Sequence, residues 1–184
     1  GTAERADLQA LHPAQLAAAA TFTVLFTSLT VLAAYALLIP LAGRAGAALA
    51  GLFLAVDPFY LTHSRIVHVD GILASAMLLS ALALLRYLQQ PHRRRFLFLS
   101  GLMAGLALLT KTPALFLIPL SALALGLQWL LQRLGREQWG RLGQVAGASG
   151  LWLATVAATF WLACPAAWTT PLFFVYRIYR ASRW

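Results

Sequence analysis

The ionisable side chains of this chain concentrate in one stretch, DPFYLTHSRIVHVDG, which occupies residues 57–71. They are Asp57, His63, Arg65, His68 and Asp70. A charge costs roughly 2.5–3.5 kcal/mol at the centre of a bilayer and less near the interface, so a merely soluble connection would use Ser, Asn or Gly instead. The stretch therefore predicts a substrate-binding site for an anionic group at the membrane surface. Arg65 would clamp the anion, and Asp70 would orient Arg65 or a substrate hydroxyl.

Two other interpretations of this stretch stay open. The first is a solvated loop whose charges pair with one another. The second is a zinc site formed by His63, His68 and Asp70, because imidazole and carboxylate groups suit this metal. The spacing of the three residues matches no strong zinc motif. We therefore predict no metal ligands, although a divalent metal remains a candidate cofactor.

A second feature is Lys111, which interrupts the long apolar stretch of residues 96–131 within the sequence TKTP. Its side chain could simply extend to the membrane interface. Alternatively, Lys111 and Arg65 would supply two cations on one membrane surface, an arrangement that suits a lipid-linked phosphate. Departure of a phosphate leaving group builds negative charge, which positioned cations stabilise.

A third feature is the sequence CPAAW at residues 164–168, which follows an apolar run. Proline ends a helix, and Trp168 suits the membrane interface, so an anchored helix end is the simplest interpretation. Cys164 is the only cysteine of the chain, which excludes an intrachain disulfide.

The composition indicates that lipid solvates part of this protein. Of its 184 residues, 61% are hydrophobic and 10% are charged, whereas soluble domains have roughly 45–50% apolar and 25% charged residues. The net charge of +9 does not indicate a nucleic-acid partner. The arginines occupy short gaps between apolar runs, and they do not form a soluble face with interleaved aromatic residues.

The apolar runs predict an all-α, polytopic membrane protein with about six transmembrane helices. The runs are residues 16–39, 47–61, 71–88, two short crossings within 96–131, and 145–163. As one helix, residues 96–131 would reach over roughly 50 Å, against a hydrocarbon core of roughly 30 Å. Pro113 disfavours helical dihedrals at the preceding residue, so we expect a short hairpin around Lys111.

We expect residues 1–184 to form a single, partial transmembrane domain. Residues 1–15 would be a juxtamembrane segment and residues 165–184 an interfacial segment, both on the outer side. One side of this topology collects most of the arginines, which makes it cytoplasmic by the positive-inside rule. These arginines are Arg44, Arg86, Arg93, Arg94, Arg95, Arg133, Arg136 and Arg141. The candidate site then lies on the outer face of the plasma membrane.

Three stretches, in this order, resemble bacterial glycosyltransferases related to protein O-mannosyltransferases and aminoarabinose transferases, which have the type C glycosyltransferase fold. They are GLFLAVDPFYLTHSRIVHVDGILAS, GLMAGLALLTKTPALFLIP and ACPAAWTTP. The resemblance covers roughly residues 44–171. The third stretch departs from the usual tryptophan-proline start, because Cys164 precedes Pro165.

The resemblance implies that a sugar is transferred from a polyprenyl-phosphate donor to a protein, lipid or glycan acceptor at the outer face. By resemblance, Arg65 and Asp70 match an arginine and an aspartate of the family's site, and Lys111 matches the lysine of its hairpin turn. The catalytic base of the family is a carboxylate on the first outer loop. We expect that loop to precede residue 1, because Glu4 and Asp7 lack the matching context.

Two functions of other classes compete with glycosyl transfer. A transporter would place a polar site near the bilayer midplane and often has repeated halves, whereas these ionisable groups lie at helix ends and no repeat is apparent. A non-catalytic membrane scaffold would give Arg65, Asp70 and Lys111 no reason to converge.

Overall fold

The computed structural model describes residues 13–58, 60, 62, 69–134, 142–164 and 168. Every regular element within these ranges is helical, as the sequence predicts. The elements are α1 (Pro13–Val56), α2 (Val69–Gln89), α3 (Arg94–Thr110), a 3₁₀ helix (Thr112–Phe116), α4 (Leu117–Leu134) and α5 (Leu142–Ala163). Many large apolar side chains on these helices are exposed, for example Leu29 and Leu134. Such surfaces are expected where helices face lipid.

Four helices in the described part of the chain are long and apolar enough to cross a membrane. They are Ala17–Val56, Val69–Gln89, Thr112–Leu134 and Gly143–Ala163. The predicted number of about six is therefore not confirmed. The difference arises at two places, because α1 joins two of the predicted crossings and α3 has only 17 residues, beginning with two arginines.

The helix α1 is broken at Gly43, which lies between the first two predicted crossings, residues 16–39 and 47–61. Gly43 has φ 74° and ψ 171°, a conformation that is essentially restricted to glycine. Gly51 lies close to Tyr35, since a methyl group placed on Gly51 would be 3.9 Å from Tyr35 Cβ. In a straight helix these residues would be about 24 Å apart. The two halves of α1 therefore fold back on each other at Gly43.

The chain also turns at Lys111, as predicted. Lys111 is extended, with φ −155° and ψ 155°, and Pro113 lies in the first turn of the 3₁₀ helix that follows. Proline is favourable there because its missing N–H would have no partner in the first turn. The helix α4 then packs mainly against α5 and α2. In a tight hairpin, α4 would pack mainly against α3 instead.

The helices α2, α3 and α5 form the centre of the molecule. The middle helix, α3, packs against both α2 and α5. Buried polar side chains connect the three helices. The Ser80 hydroxyl on α2 donates to the Ser100 carbonyl on α3 (2.9 Å), and the Trp152 indole on α5 donates to Ser100 Oγ (3.0 Å). In a lipid environment such bonds satisfy groups that water cannot reach.

Two glycines let α3 and α5 approach closely. A Cβ at Gly101 would lie 2.8 Å from Thr155 Cβ, and one at Gly105 would lie 2.6 Å from Thr159 Cβ. This is the small-residue spacing of four that membrane helices use for close packing. Because α2 and α3 pack as neighbours joined by a short turn, the start of α2 lies beside the end of α3.

Candidate functional site

Asp70 and Lys111 form an ion pair where α2 begins and α3 ends. The Lys111 side chain is 39% exposed and the Asp70 side chain 32% exposed. An exposed ion pair contributes only about 0–1 kcal/mol to stability. The pair is therefore better suited to holding an accessible ammonium group in place than to stabilising the fold.

Asp70 also occupies the first turn of α2. A carboxylate there interacts favourably with the positive end of the helix dipole. The positive end of the α2 dipole and the ammonium of Lys111 therefore both attract the Asp70 carboxylate. Both residues belong to the substrate-binding set that the sequence predicts, and the antiparallel packing of α2 and α3 brings them together.

Asp57 follows the last residue of α1 and accepts a hydrogen bond from the backbone N–H of Tyr60 (2.6 Å). Such a short-range bond is typical of aspartates that start a turn. The carboxylate of Asp57 therefore has a role in backbone structure. Its predicted part in substrate binding stays a prediction.

Tyr60 is a buried residue of this region that the sequence analysis did not single out. Its hydroxyl lies 2.6 Å from Ser75 Oγ on α2 and 3.3 Å from the Thr27 carbonyl on α1. Burial raises the pKa of the Tyr60 phenol above its ordinary value, although the hydrogen bond with Ser75 opposes this effect. The phenol is therefore neutral at physiological pH, and it ties the chain after α1 to two helices.

One sequence signal could have pointed to this anchor. Thr23, Thr27 and Thr30 recur at helical spacing on α1 and are all buried, and Ser75 interrupts the apolar start of α2. Small polar residues on the facing sides of two apolar helices indicate a polar contact between them. A tyrosine between the two helices in the sequence is a natural partner, because its ring is apolar and its hydroxyl needs a hydrogen bond.

Three predicted site residues, His63, Arg65 and His68, lie outside the described residues. Their roles as anion clamp or zinc ligands stay predictions. Within the ranges that the structure describes, no group of three His, Cys, Asp or Glu side chains could hold a metal ion.

A groove of about 630 Å³ opens beside Lys111, between the ends of α3 and α5. Its walls are mostly aliphatic and aromatic, and they include Leu108, Leu115, Val156 and Phe160. The volume is within the range of about 300–1,000 Å³ that is usual for small-molecule sites. An ammonium at one end of an apolar groove is chemically suited to an amphipathic ligand with an anionic head.

The end of α5 contributes Cys164 to this groove. Beyond it, the Trp168 indole donates a hydrogen bond of 2.5 Å to the Trp161 carbonyl in the last turn of α5. The Trp161 carbonyl also accepts a hydrogen bond from the Cys164 N–H (3.4 Å), so the indole adds a second donor at the helix end. The indole bond holds Trp168 against the helix end, which agrees with the interpretation of this segment as an anchored helix end.

The family of dolichyl-phosphate-mannose-protein mannosyltransferases matches residues 9–161 of the chain. The chain belongs to this family. The matched region includes all of α1–α4, the stretch from Asp57 to Asp70, and Lys111. Comparisons with curated proteins and with solved structures gave no match.

Membership of the mannosyltransferase family identifies this chain as a membrane protein of the glycosyltransferase class. The predicted resemblance to protein O-mannosyltransferases is confirmed at the level of the family. The reaction type is therefore glycosyl transfer. The four apolar helices among the described residues, together with the family, indicate a membrane protein.

Proposed function

We propose that this protein transfers a sugar from a polyprenyl-phosphate donor to an acceptor at the outer face of the plasma membrane. One observation carries the proposal: Lys111 lies at the end of an apolar groove and is paired with Asp70. A polyprenyl-phosphate sugar has the matching construction, since its tail is apolar and its phosphodiester is anionic. The tail would lie in the groove and the phosphate would approach Lys111.

Lys111 would then act on the bond that breaks. In the transfer, the bond from the anomeric carbon of the sugar to the phosphate oxygen breaks, and the acceptor hydroxyl forms a new bond to that carbon. The departing phosphate gains negative charge, which a positioned ammonium stabilises. The proton of the acceptor hydroxyl passes to a base, a role that we assign to none of the described residues.

The position of the ion pair also bears on the two competing functions. Asp70 and Lys111 lie at helix ends, whereas transporters place their sites near the membrane midplane. A scaffold gives no reason for an aspartate and a lysine from two helices to converge beside a groove. Both alternatives are therefore less well supported than glycosyl transfer.

Binding of the donor lipid tests the proposal directly. The purified protein in lipid nanodiscs would be titrated with a polyprenyl phosphate and, separately, with the uncharged polyprenol. We expect Lys111→Gln to weaken phosphate-lipid binding about 10-fold or more, as for loss of a charged hydrogen bond. Lys111→Arg should retain much of the binding, and the polyprenol should bind equally to all variants.

Arg133→Gln is the matched control, because Arg133 is a cation in the last turn of α4 and lies over the Trp129 ring. This control should bind the phosphate lipid like the unmodified protein. Equal binding by the unmodified protein and Lys111→Gln would overturn the proposed role of Lys111. The outward orientation can be tested separately with an impermeant thiol reagent on intact cells, in a Cys164→Ala background. Thr62→Cys should be labelled and Gln90→Cys should not.

A further inference from the structure

A second cavity lies at the end of the helices opposite to Lys111. It has a volume of about 500 Å³ and is lined by the end of α2, the start of α3 and the start of α5. The residues that matter for its chemistry are Tyr87, His92, Arg94, Leu97, Gln144 and Leu151. Because α3 runs from Arg94 to Thr110, the two cavities are about 25 Å apart along this helix.

The rim of this cavity is basic. His92 and Arg94 line it, and both side chains are exposed. Two neighbouring arginines are engaged elsewhere: Arg86 is buried and lies 5.1 Å from the centre of the Phe96 ring, and Arg95 lies 5.0 Å from the same ring. In the part of the chain described by the structure, no carboxylate forms an ion pair with Arg94. Its guanidinium is therefore available to an anion from outside the chain.

The interior of the cavity is apolar and open. Leu97 of α3 and Leu151 of α5 form part of its wall. Small residues of α5 also line the cavity, and their short side chains leave its interior unfilled. Cβ atoms placed on Gly143 or Gly147 would meet no heavy atom within 4 Å. A guanidinium and an imidazole on the rim, with hydrocarbon walls below them, match a phosphate group that continues into an acyl chain.

We propose that this cavity binds an anionic phospholipid from the membrane leaflet at that end of the helices. Arg94 and His92 contact the lipid phosphate, and an acyl chain runs along Leu97 and Leu151. Basic pockets between membrane helices are known to hold phospholipid head groups in this way. The site is independent of Lys111 and of the proposed glycosyl donor, since none of its lining residues belongs to the groove beside Lys111.

The test measures lipid retention by native mass spectrometry of the purified protein. Delipidated protein would be titrated with phosphatidylglycerol and, separately, with phosphatidylcholine, in the absence and presence of excess inorganic phosphate. We expect phosphatidylglycerol to be retained preferentially and inorganic phosphate not to displace it. Displacement by phosphate alone would identify a free-anion site, and equal retention of the two lipids would show that charge does not decide binding. Either result would overturn the proposal.

Two variants locate the binding in the cavity. Arg94→Ala should lower phosphatidylglycerol retention about fivefold, the effect of one arginine near the membrane surface. Gly147→Leu should abolish retention, because the new side chain fills open space instead of meeting packed atoms. Gly150→Leu is the control on the same helix, since its Cβ also meets nothing within 4 Å and Gly150 does not line the cavity.

Thermal unfolding of each variant in detergent checks that the fold is intact. Unchanged phosphatidylglycerol retention in both Arg94→Ala and Gly147→Leu would contradict the proposed site. Loss of polyprenyl-phosphate binding in Lys111→Gln, with phosphatidylglycerol retention unchanged, would separate this site from the proposed donor site.

Discussion

Lys111, in the turn after α3, contacts the carboxylate of Asp70 in the first turn of α2. The two residues are far apart in the chain, and their contact depends on the antiparallel packing of α2 and α3. Since both side chains are about one third exposed, the contact contributes little to the stability of the fold. Its consequence is positional, because it fixes an ammonium group beside an apolar groove.

Exchanging the two charged residues tests the position of the Lys111 ammonium separately from the stability of the fold. We expect Asp70→Lys combined with Lys111→Asp to lower the free energy of unfolding by at most about 2 kcal/mol, because the pair is retained while a cation at the start of α2 opposes the helix dipole. Binding of a polyprenyl phosphate to the protein in lipid nanodiscs should weaken at least about 10-fold, since the ammonium moves away from the groove. Binding close to that of the unmodified protein would mean that the position of Lys111 is unimportant.

Tyr60→Phe tests the anchor between the chain after α1 and the helices α1 and α2. Removing the hydroxyl should destabilise the protein by about 0.5–1.5 kcal/mol. Ser75 keeps a partner because its hydroxyl also donates to the Gly71 carbonyl (2.7 Å). The measurement is chemical unfolding in detergent. Tyr35→Phe is the control and should be neutral, because the Tyr35 hydroxyl forms no hydrogen bond among the described residues. Equal effects of the two substitutions would argue against an anchor at Tyr60.

Gly105→Ala tests the close approach of α3 and α5. The new methyl group would lie 2.6 Å from Thr159 Cβ and 2.9 Å from the Val156 carbonyl oxygen. The helices would have to separate, at a cost of about 1–3 kcal/mol. Gly126→Ala, on α4, meets nothing within 4 Å and should be neutral or stabilising by about 1 kcal/mol, because alanine favours helices. The thermal unfolding temperature should therefore fall for Gly105→Ala and stay the same or rise for Gly126→Ala. A higher unfolding temperature for Gly105→Ala would contradict the close packing of α3 against α5.

Gly43→Ala tests the turn within α1. Alanine is strained at the positive φ of Gly43, so we expect a loss of about 1–3 kcal/mol in unfolding free energy. Gly51→Ala provides the control, since its methyl group would make an ordinary contact of 3.9 Å with Tyr35. Chemical unfolding compares the two variants. If Gly43→Ala were as stable as Gly51→Ala, the positive φ would not be needed for the turn.

The sequence alone determined where helices form and where two of the turns between them fall. Long apolar runs must satisfy their own backbone in lipid, which makes them helices, and Pro113 and Gly43 interrupt them for local steric reasons. It also indicated that Asp70 and Lys111 belong to the same surface, because both lie at helix ends on one side of the predicted topology. The number of crossings was harder to predict, since Gly43 breaks α1 without any polar loop and α3 is short.

Only the tertiary structure decided which side chains meet. The ion pair of Asp70 with Lys111, the anchor from Tyr60 to Ser75, and the contact of Trp152 with Ser100 each join residues on different segments. Hydropathy and helix signals report on a residue and its near neighbours, whereas these contacts depend on the rotation and depth of one helix relative to another. Those quantities follow from the fit of small residues such as Gly101 and Gly105 against α5, which sequence patterns do not specify.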